Sequence, residues 1–252
     1  MSKKCCKHFK GKEALGHVIE ARQKGRDFMY KEHGGELSGP TFSFLDTAKE
    51  CSVFFTVLAI VFTGFNQTIS IPFFFAIFIT YLFFKSGRVA IVGWTRLERL
   101  HRMIEEERYE IEHHRPQEKE ELTALYRAKG FSGKLLEEVI DILMADDNRL
   151  LQVMLEDEFG LSLEKIEHPL KQALGAFLGA SISGALFFSI LYFIFPLSGL
   201  IALSTLTVGL FAWVSAHKEK RRRLVSICWN LALAYLSFAV AYFVTQTIVE
   251  FL

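Results

Sequence analysis

The sequence predicts an all-α membrane fold: a bundle of five transmembrane helices with an acidic helical insert between the second and third. Three observations carry that expectation. Long stretches lack any formal charge: 34 residues from Cys51 to Phe84, 46 from Gln172 to His217 and 26 from Leu224 to Val249. A spanning helix needs roughly 20 mostly apolar residues, so these stretches hold two, two and one spans. Charge is also segregated, although the 252-residue chain sums to only +1. Residues 95–168 carry 19 of the 28 acidic side chains and 11 basic ones, a net of −8, whereas the remainder nets +9. Within the insert, apolar residues recur at helical spacing, with no strand-like alternation.

Residues 1–44 read as an N-terminal leader and an amphipathic segment that breaks at Gly34-Gly35 and Gly39-Pro40. The leader is polar and basic, unlike a secretory signal peptide. Cys5-Cys6-Lys7-His8 is read as reduced thiols in that leader, against the alternative of a soft-metal site, and the four cysteines lack disulfide spacing. Residues 45–94 hold the first two spans, joined by a tight turn at Gly64-Phe65-Asn66-Gln67, with Pro72 tolerated in the first turn of span two. Nothing interrupts span two at its inner end. The helix is expected to continue past Trp94 and Leu97 to about His114, where Arg115-Pro116 ends it.

Residues 95–168 form the insert. A helix runs from Pro116 to about Lys129, and a turn follows with Ser132 as N-cap. Another helix covers Leu135 to Met144, and Asp146 and Asp147 cap a last one that Gly160 ends. Residues 169–252 supply spans three to five. There, Gly175-x-x-x-Gly179 and Ala180-x-x-x-Gly184 have the spacing that lets membrane helices approach closely, within one subunit or across a dimer seam. The 25 phenylalanines suit a lipid-facing surface.

Basic clusters fix an expected orientation. Lys3, Lys4, Lys7, Lys10 and Lys12 precede the first span, and Lys218, Lys220, Arg221, Arg222 and Arg223 precede the last. Such clusters favour the cytoplasmic side, which places the N-terminus, the insert and the 218–223 loop inside and the C-terminus outside. No phosphate-binding G-x-x-x-x-G-K-S/T loop is present, so neither a nucleotide nor a nucleic acid is expected as partner. The chain also lacks a nucleophile elbow and a His-Glu-x-x-His motif, and it is not expected to be an enzyme.

The insert holds the first candidate site. Glu107-Arg108-Tyr109-Glu110 and Glu118-Lys119-Glu120-Glu121 each place two glutamates three apart on one helix face. The two pairs flank a proline bend, and a third acidic knot, Glu156-Asp157-Glu158, follows Met154. Oxygen-rich sets suit hard divalent cations, and iron and manganese accept mixed oxygen and sulfur donors. The competing reading is a solvated acidic face. Glu98-Arg99-Leu100-His101 and Glu110-Ile111-Glu112-His113 carry the Glu-x-x-His pattern of di-iron carboxylate proteins. They stand on one helix, 12 residues and roughly 18 Å apart, and cannot share a site. In span one, Asp46 and Glu50 lie four apart and could pass a cation or proton, or pair with Lys49, Lys85 or Arg88.

With these motifs in view, the chain resembles the vacuolar iron transporter family. The stretch Tyr126-Arg127-Ala128-Lys129-Gly130-Phe131-Ser132-Gly133-Lys134-Leu135-Leu136-Glu137-Glu138-Val139 reads as family sequence, as does Met154-Leu155-Glu156-Asp157-Glu158-Phe159-Gly160-Leu161. The resemblance implies a homodimer that exports Fe2+ from the cytosol by proton antiport, with Mn2+, Zn2+ or Co2+ as related cargo. It implies cytosolic metal capture by Glu107, Glu110, Glu118, Glu121, Met154 and Glu158, with Glu156 standing beside Leu155, which replaces a family methionine. It assigns Asp46, joined here by Glu50, to the ion path. Span two departs from the pattern: Phe83-Phe84-Lys85-Ser86-Gly87-Arg88 stands where the family has small residues with a methionine and a glutamate. The alternative function is therefore a membrane-anchored metal-binding or interaction module whose pore is closed by Lys85 and Arg88.

Overall fold

The computed structural model describes residues 37–67, 70–157, 167–193 and 197–251. The described residues form eight α-helices and no strand. We number them α1 (Gly39–Gly64), α2 (Ile71–His113), α3 (Arg115–Ala128), α4 (Gly133–Met144), α5 (Asp147–Asp157), α6 (Pro169–Phe193), α7 (Leu197–Lys218) and α8 (Arg223–Phe251). The chain divides into two compact units, one of residues 1–93 with 167–252 and one of residues 94–166. The division falls inside the α2 sequence, after Gly93.

In the first unit α1 is the central helix. Pro40 opens it, where a fixed φ is already helical and the missing N–H costs nothing. Its widest packing is with α6, followed by α7 and α8. Two glycines make the α6 contact possible. A Cβ at Gly175 would stand 2.1 Å from the Pro40 carbonyl oxygen, and one at Gly179 would stand 2.2 Å from that of Phe44. Ala176 and Ala180 beside them are fully buried. The small-residue stripe therefore serves helix packing within this chain. Gly184, next along the stripe, receives the ring of Phe78 from α2.

Aromatic rings complete this core. Phe55 of α1 meets Phe78 of α2 at 5.8 Å and Phe187 of α6 at 5.4 Å, and Phe74 stacks on Phe187 at 6.0 Å. Phe55, Phe74, Phe78 and Phe187 are buried, whereas Phe42, Phe54, Phe73, Phe75, Phe83 and Phe84 face outward, so the phenylalanines serve both core and outer surface. Among the described residues four helices are long and apolar enough to cross a membrane: α2, α6, α7 and α8. At 26 residues α1 has the length of a span, but Asp46, Lys49 and Glu50 lie in its first half.

The second unit gathers the end of α2 with α3, α4 and α5. His114 separates α2 from α3, at the break that Arg115-Pro116 imposes. Ser132 precedes α4 with extended backbone but makes no side-chain cap, whereas Asp146 Oδ1 accepts the Arg149 backbone N–H at 2.8 Å. Gly130 and Gly133 take φ of 97° and 60°, left-handed values that spare a side chain the strain. Ile111, Leu122, Leu136, Ile140, Leu150, Leu151, Met154 and Leu155 form one apolar core. Arg115 crosses the surface to Asp147 (2.7 Å) and to the Met144 carbonyl (2.6 Å), and Lys119 reaches Asp141 at 2.9 Å. Exposed pairs of this kind add little stability, so the apolar core carries the unit.

Candidate functional site

The insert sorts its predicted metal residues into two sets. Glu107 and Glu118 are buried, 4% and 2% exposed, and Met154 is fully enclosed. Glu110, Glu121 and Glu156 lie on the surface, and Glu158 lies outside the described residues. Each Glu-x-x-Glu pair thus sends one carboxylate inward and one outward. The reason is helical register. Glu107 stands four residues before Ile111, and Glu118 four before Leu122, so each shares the face of a core residue. Ile111, Leu122 and Met154 belong to the same cluster, which brings the two inward glutamates toward the methionine's core. Among the described residues, no three His, Cys, Asp or Glu side chains are grouped closely enough to hold a metal ion.

A buried carboxylate is expensive unless a positive charge, a proton or hydrogen bonds compensate it. Glu107 and Glu118 each have an interaction partner within the protein. Glu107, Glu118 and Met154 are buried within the same unit.

The acidic knot at the end of α5 is partly committed. Asp157 pairs with Lys129 at 2.5 Å, and Lys129 also lies 4.7 Å from the Tyr126 ring centroid. Burial and then the neighbouring Asp157 push the Tyr126 phenol up, with Lys129 opposing them. Glu156 accepts a hydrogen bond from Gln152 Nε2 at 3.0 Å.

In the first unit, Asp46 and Glu50 occur as members of an ion-pair network. Glu50 accepts Lys85 of α2, and Asp46 lies 3.5 Å from Lys49. Lys49 Nζ also donates to Asn230 Oδ1 of α8 at 3.2 Å, and Asn230 Nδ2 donates in turn to the Ser226 carbonyl at 2.8 Å. Of the two cations in span two, Lys85 is paired and Arg88 is exposed. Past this network α1 presents further polar groups: Ser52 Oγ meets Thr207 Oγ1 of α7 at 2.7 Å, and Cys51 Sγ points to the Ala180 carbonyl at 3.8 Å. The sequence reading did not single out Asn230 or Thr207. Asn230 had a signal, a carboxamide inside the otherwise uncharged run 224–249, where a polar side chain needs a partner.

The family comparison decides what kind of chain carries these features. A model of the VIT family matches residues 94–246, more than half of the chain. The chain belongs to the VIT family. As a VIT-family member with four apolar helices of spanning length it is a multi-pass membrane protein, and membership points to metal-ion transport rather than enzymatic catalysis. The matched VIT region contains every insert residue named above together with Asn230, whereas Asp46, Glu50 and Lys85 precede it. No curated protein matched the chain.

Proposed function

We propose that this VIT-family protein moves ferrous iron, or a related divalent cation such as Mn2+, across a membrane in exchange for protons. In this reading α1 also crosses the membrane, as the first of five spans, the N-terminus and the insert face the cytoplasm, and the working unit is a homodimer. Glu107, Glu110, Glu118, Glu121 and Met154, with Glu156 and Glu158, gather the metal, and Asp46 and Glu50 receive it. The observation that carries the reading is the burial of Glu107 and Glu118 in the insert, within the region matched by the family. The outward glutamates offer first contact, and local opening of the insert gives the ion access to the inward ones. Protonation of the same carboxylates would release it, since a neutral acid is a poor ligand for a hard cation.

The pairing of Lys85 with Glu50 removes the main objection to a path past α1, because a neutralised lysine does not repel a cation as an isolated one would. The test is Fe2+ flux into proteoliposomes under an imposed proton gradient. Wild-type protein should accumulate metal, and Asp46→Ala should abolish the flux. Replacing Glu107, Glu110, Glu118 and Glu121 together by alanine should lower it steeply at limiting metal. Absence of flux in the wild type, with metal still bound, would refute transport and leave a metal-binding module.

A further inference from the structure

The α1 carboxylates already hold cations in this structure, and the cations belong to the chain itself. Lys85 reaches across from α2 to Glu50 with a side chain only 13% exposed. Lys49 is fixed from two sides, by Asp46 at 3.5 Å and by Asn230 Oδ1 at 3.2 Å. Asn230 is itself oriented by its bond to the Ser226 carbonyl, so α8 presents an acceptor that keeps the Lys49 ammonium in place. An ammonium at this depth requires such partners. One turn back along α2 from Lys85 stands Tyr81, stacked on Phe54 at 5.3 Å and within electrostatic range of Glu50, Cys51 and Asp46. Its hydroxyl is buried and has no hydrogen-bond partner among the described residues.

We propose that Lys85, supported by Lys49, sets the affinity of the path by competing with the metal for the α1 carboxylates. The inference rests on the reading of Asp46 and Glu50 as the cation path. A divalent ion must displace a tethered ammonium to reach Glu50, which weakens its binding. When the metal leaves, the ammonium returns and neutralises the carboxylate without a second ion from solution. A path of carboxylates alone has no such internal replacement and would hold a divalent ion more tightly. The cation that looks like an obstruction is then what keeps the site from becoming a trap.

The test uses the full chain in nanodiscs with Mn2+ as probe, its affinity read by electron paramagnetic resonance of the free and bound ion. Lys85→Met keeps the apolar stem and removes the ammonium; it should tighten Mn2+ binding about fivefold or more. Lys85→Arg should keep wild-type affinity, and in Lys85→Met/Glu50→Gln the gain should vanish. Thermal unfolding of each variant in detergent guards against misfolding, because a folded Lys85→Met protein should keep a cooperative transition. Unchanged affinity in Lys85→Met, or a gain that survives Glu50→Gln, overturns the proposal. Flux separates this from the reading beneath it. Binding that follows the prediction without flux in any variant would sink transport and keep the competitor. Wild-type flux whose KM is untouched by Lys85→Met would keep transport and sink the competitor.

Discussion

Replacing the two inward glutamates is the most direct perturbation of the insert. Glu107→Gln/Glu118→Gln preserves side-chain size at two positions that are 4% and 2% exposed, and removes the charge that would attract a cation. A ligand that binds only the folded form adds about 2.7 kcal/mol when present at a hundredfold excess over its Kd. At about 1.4 kcal/mol per factor of ten, amides that exchange only when the site opens should slow on the order of 100-fold. The assay is hydrogen exchange on the full chain, with and without saturating Mn2+. It is read in peptides from α3 and α5, whose Leu122, Leu150, Leu151, Met154 and Leu155 share one core. Wild-type protein should show the full slowing; the double variant should keep only about threefold or less, the residue of weak surface binding. Glu110→Gln/Glu121→Gln, which alters exposed groups, should lose less than the inward pair. If the inward double variant retains the entire metal-dependent protection, the buried carboxylates are not ligands and the argument from burial fails.

Other consequences are open to simpler measurements. Gly179→Ala would place a Cβ 2.2 Å from the Phe44 oxygen, forcing α1 and α6 apart, whereas a Cβ at Gly209 meets nothing within 4 Å. Thermal unfolding in detergent should fall for Gly179→Ala by an amount matching about 1–3 kcal/mol, with oligomeric state unchanged, and hold or rise for Gly209→Ala, where alanine only improves the helix; equal stability of the two would refute the close approach. Tyr126 gives a pH prediction. Its folded phenol is raised above the ordinary value, so the folded state holds its proton longer than the unfolded chain does. The stabilisation is complete below about pH 10, the unfolded value, and is lost as pH rises through the folded one. Tyr126→Phe should flatten the alkaline fall in insert stability; an unchanged slope, read by circular dichroism, would assign that fall to other groups.

Much of the secondary structure was legible because its signals are local. Arg115-Pro116 forbids helix at one point, and Asp146 offers a carboxylate to the start of another helix; α3 and α5 begin where those residues require. The functional residues were legible as a set but not in their disposition. Spacing of three says that Glu107 and Glu110 are neighbours, not which of them turns inward; that depends on where Ile111 meets Leu122 and Met154, a tertiary fact. The phenylalanines were legible only in part, for a related reason. An aromatic ring is equally at home in lipid and in a protein core, so composition does not separate Phe84, exposed, from Phe74, buried. Asp46 and Glu50 left two readings open, and only the reach of Lys85 and Lys49 showed that the carboxylates are occupied by lysines.

The central place of α1 bears on how the protein is made. Its first half carries Asp46, Lys49 and Glu50, and its close partners α6, α7 and α8 all lie more than 100 residues later in the chain. During synthesis only α2, which brings Lys85 to Glu50, follows α1 directly; the helix that holds Lys49 comes much later. On the five-span reading it has little reason to settle in the bilayer on its own hydropathy. Its commitment to the membrane then waits for α6 to offer the groove at Gly175 and Gly179, and for α8 to bring Asn230 to Lys49. The first of the described helices to be made would be the last to be fully seated, and a ribosome that stops short of α8 would leave behind a chain whose centre has not been assembled.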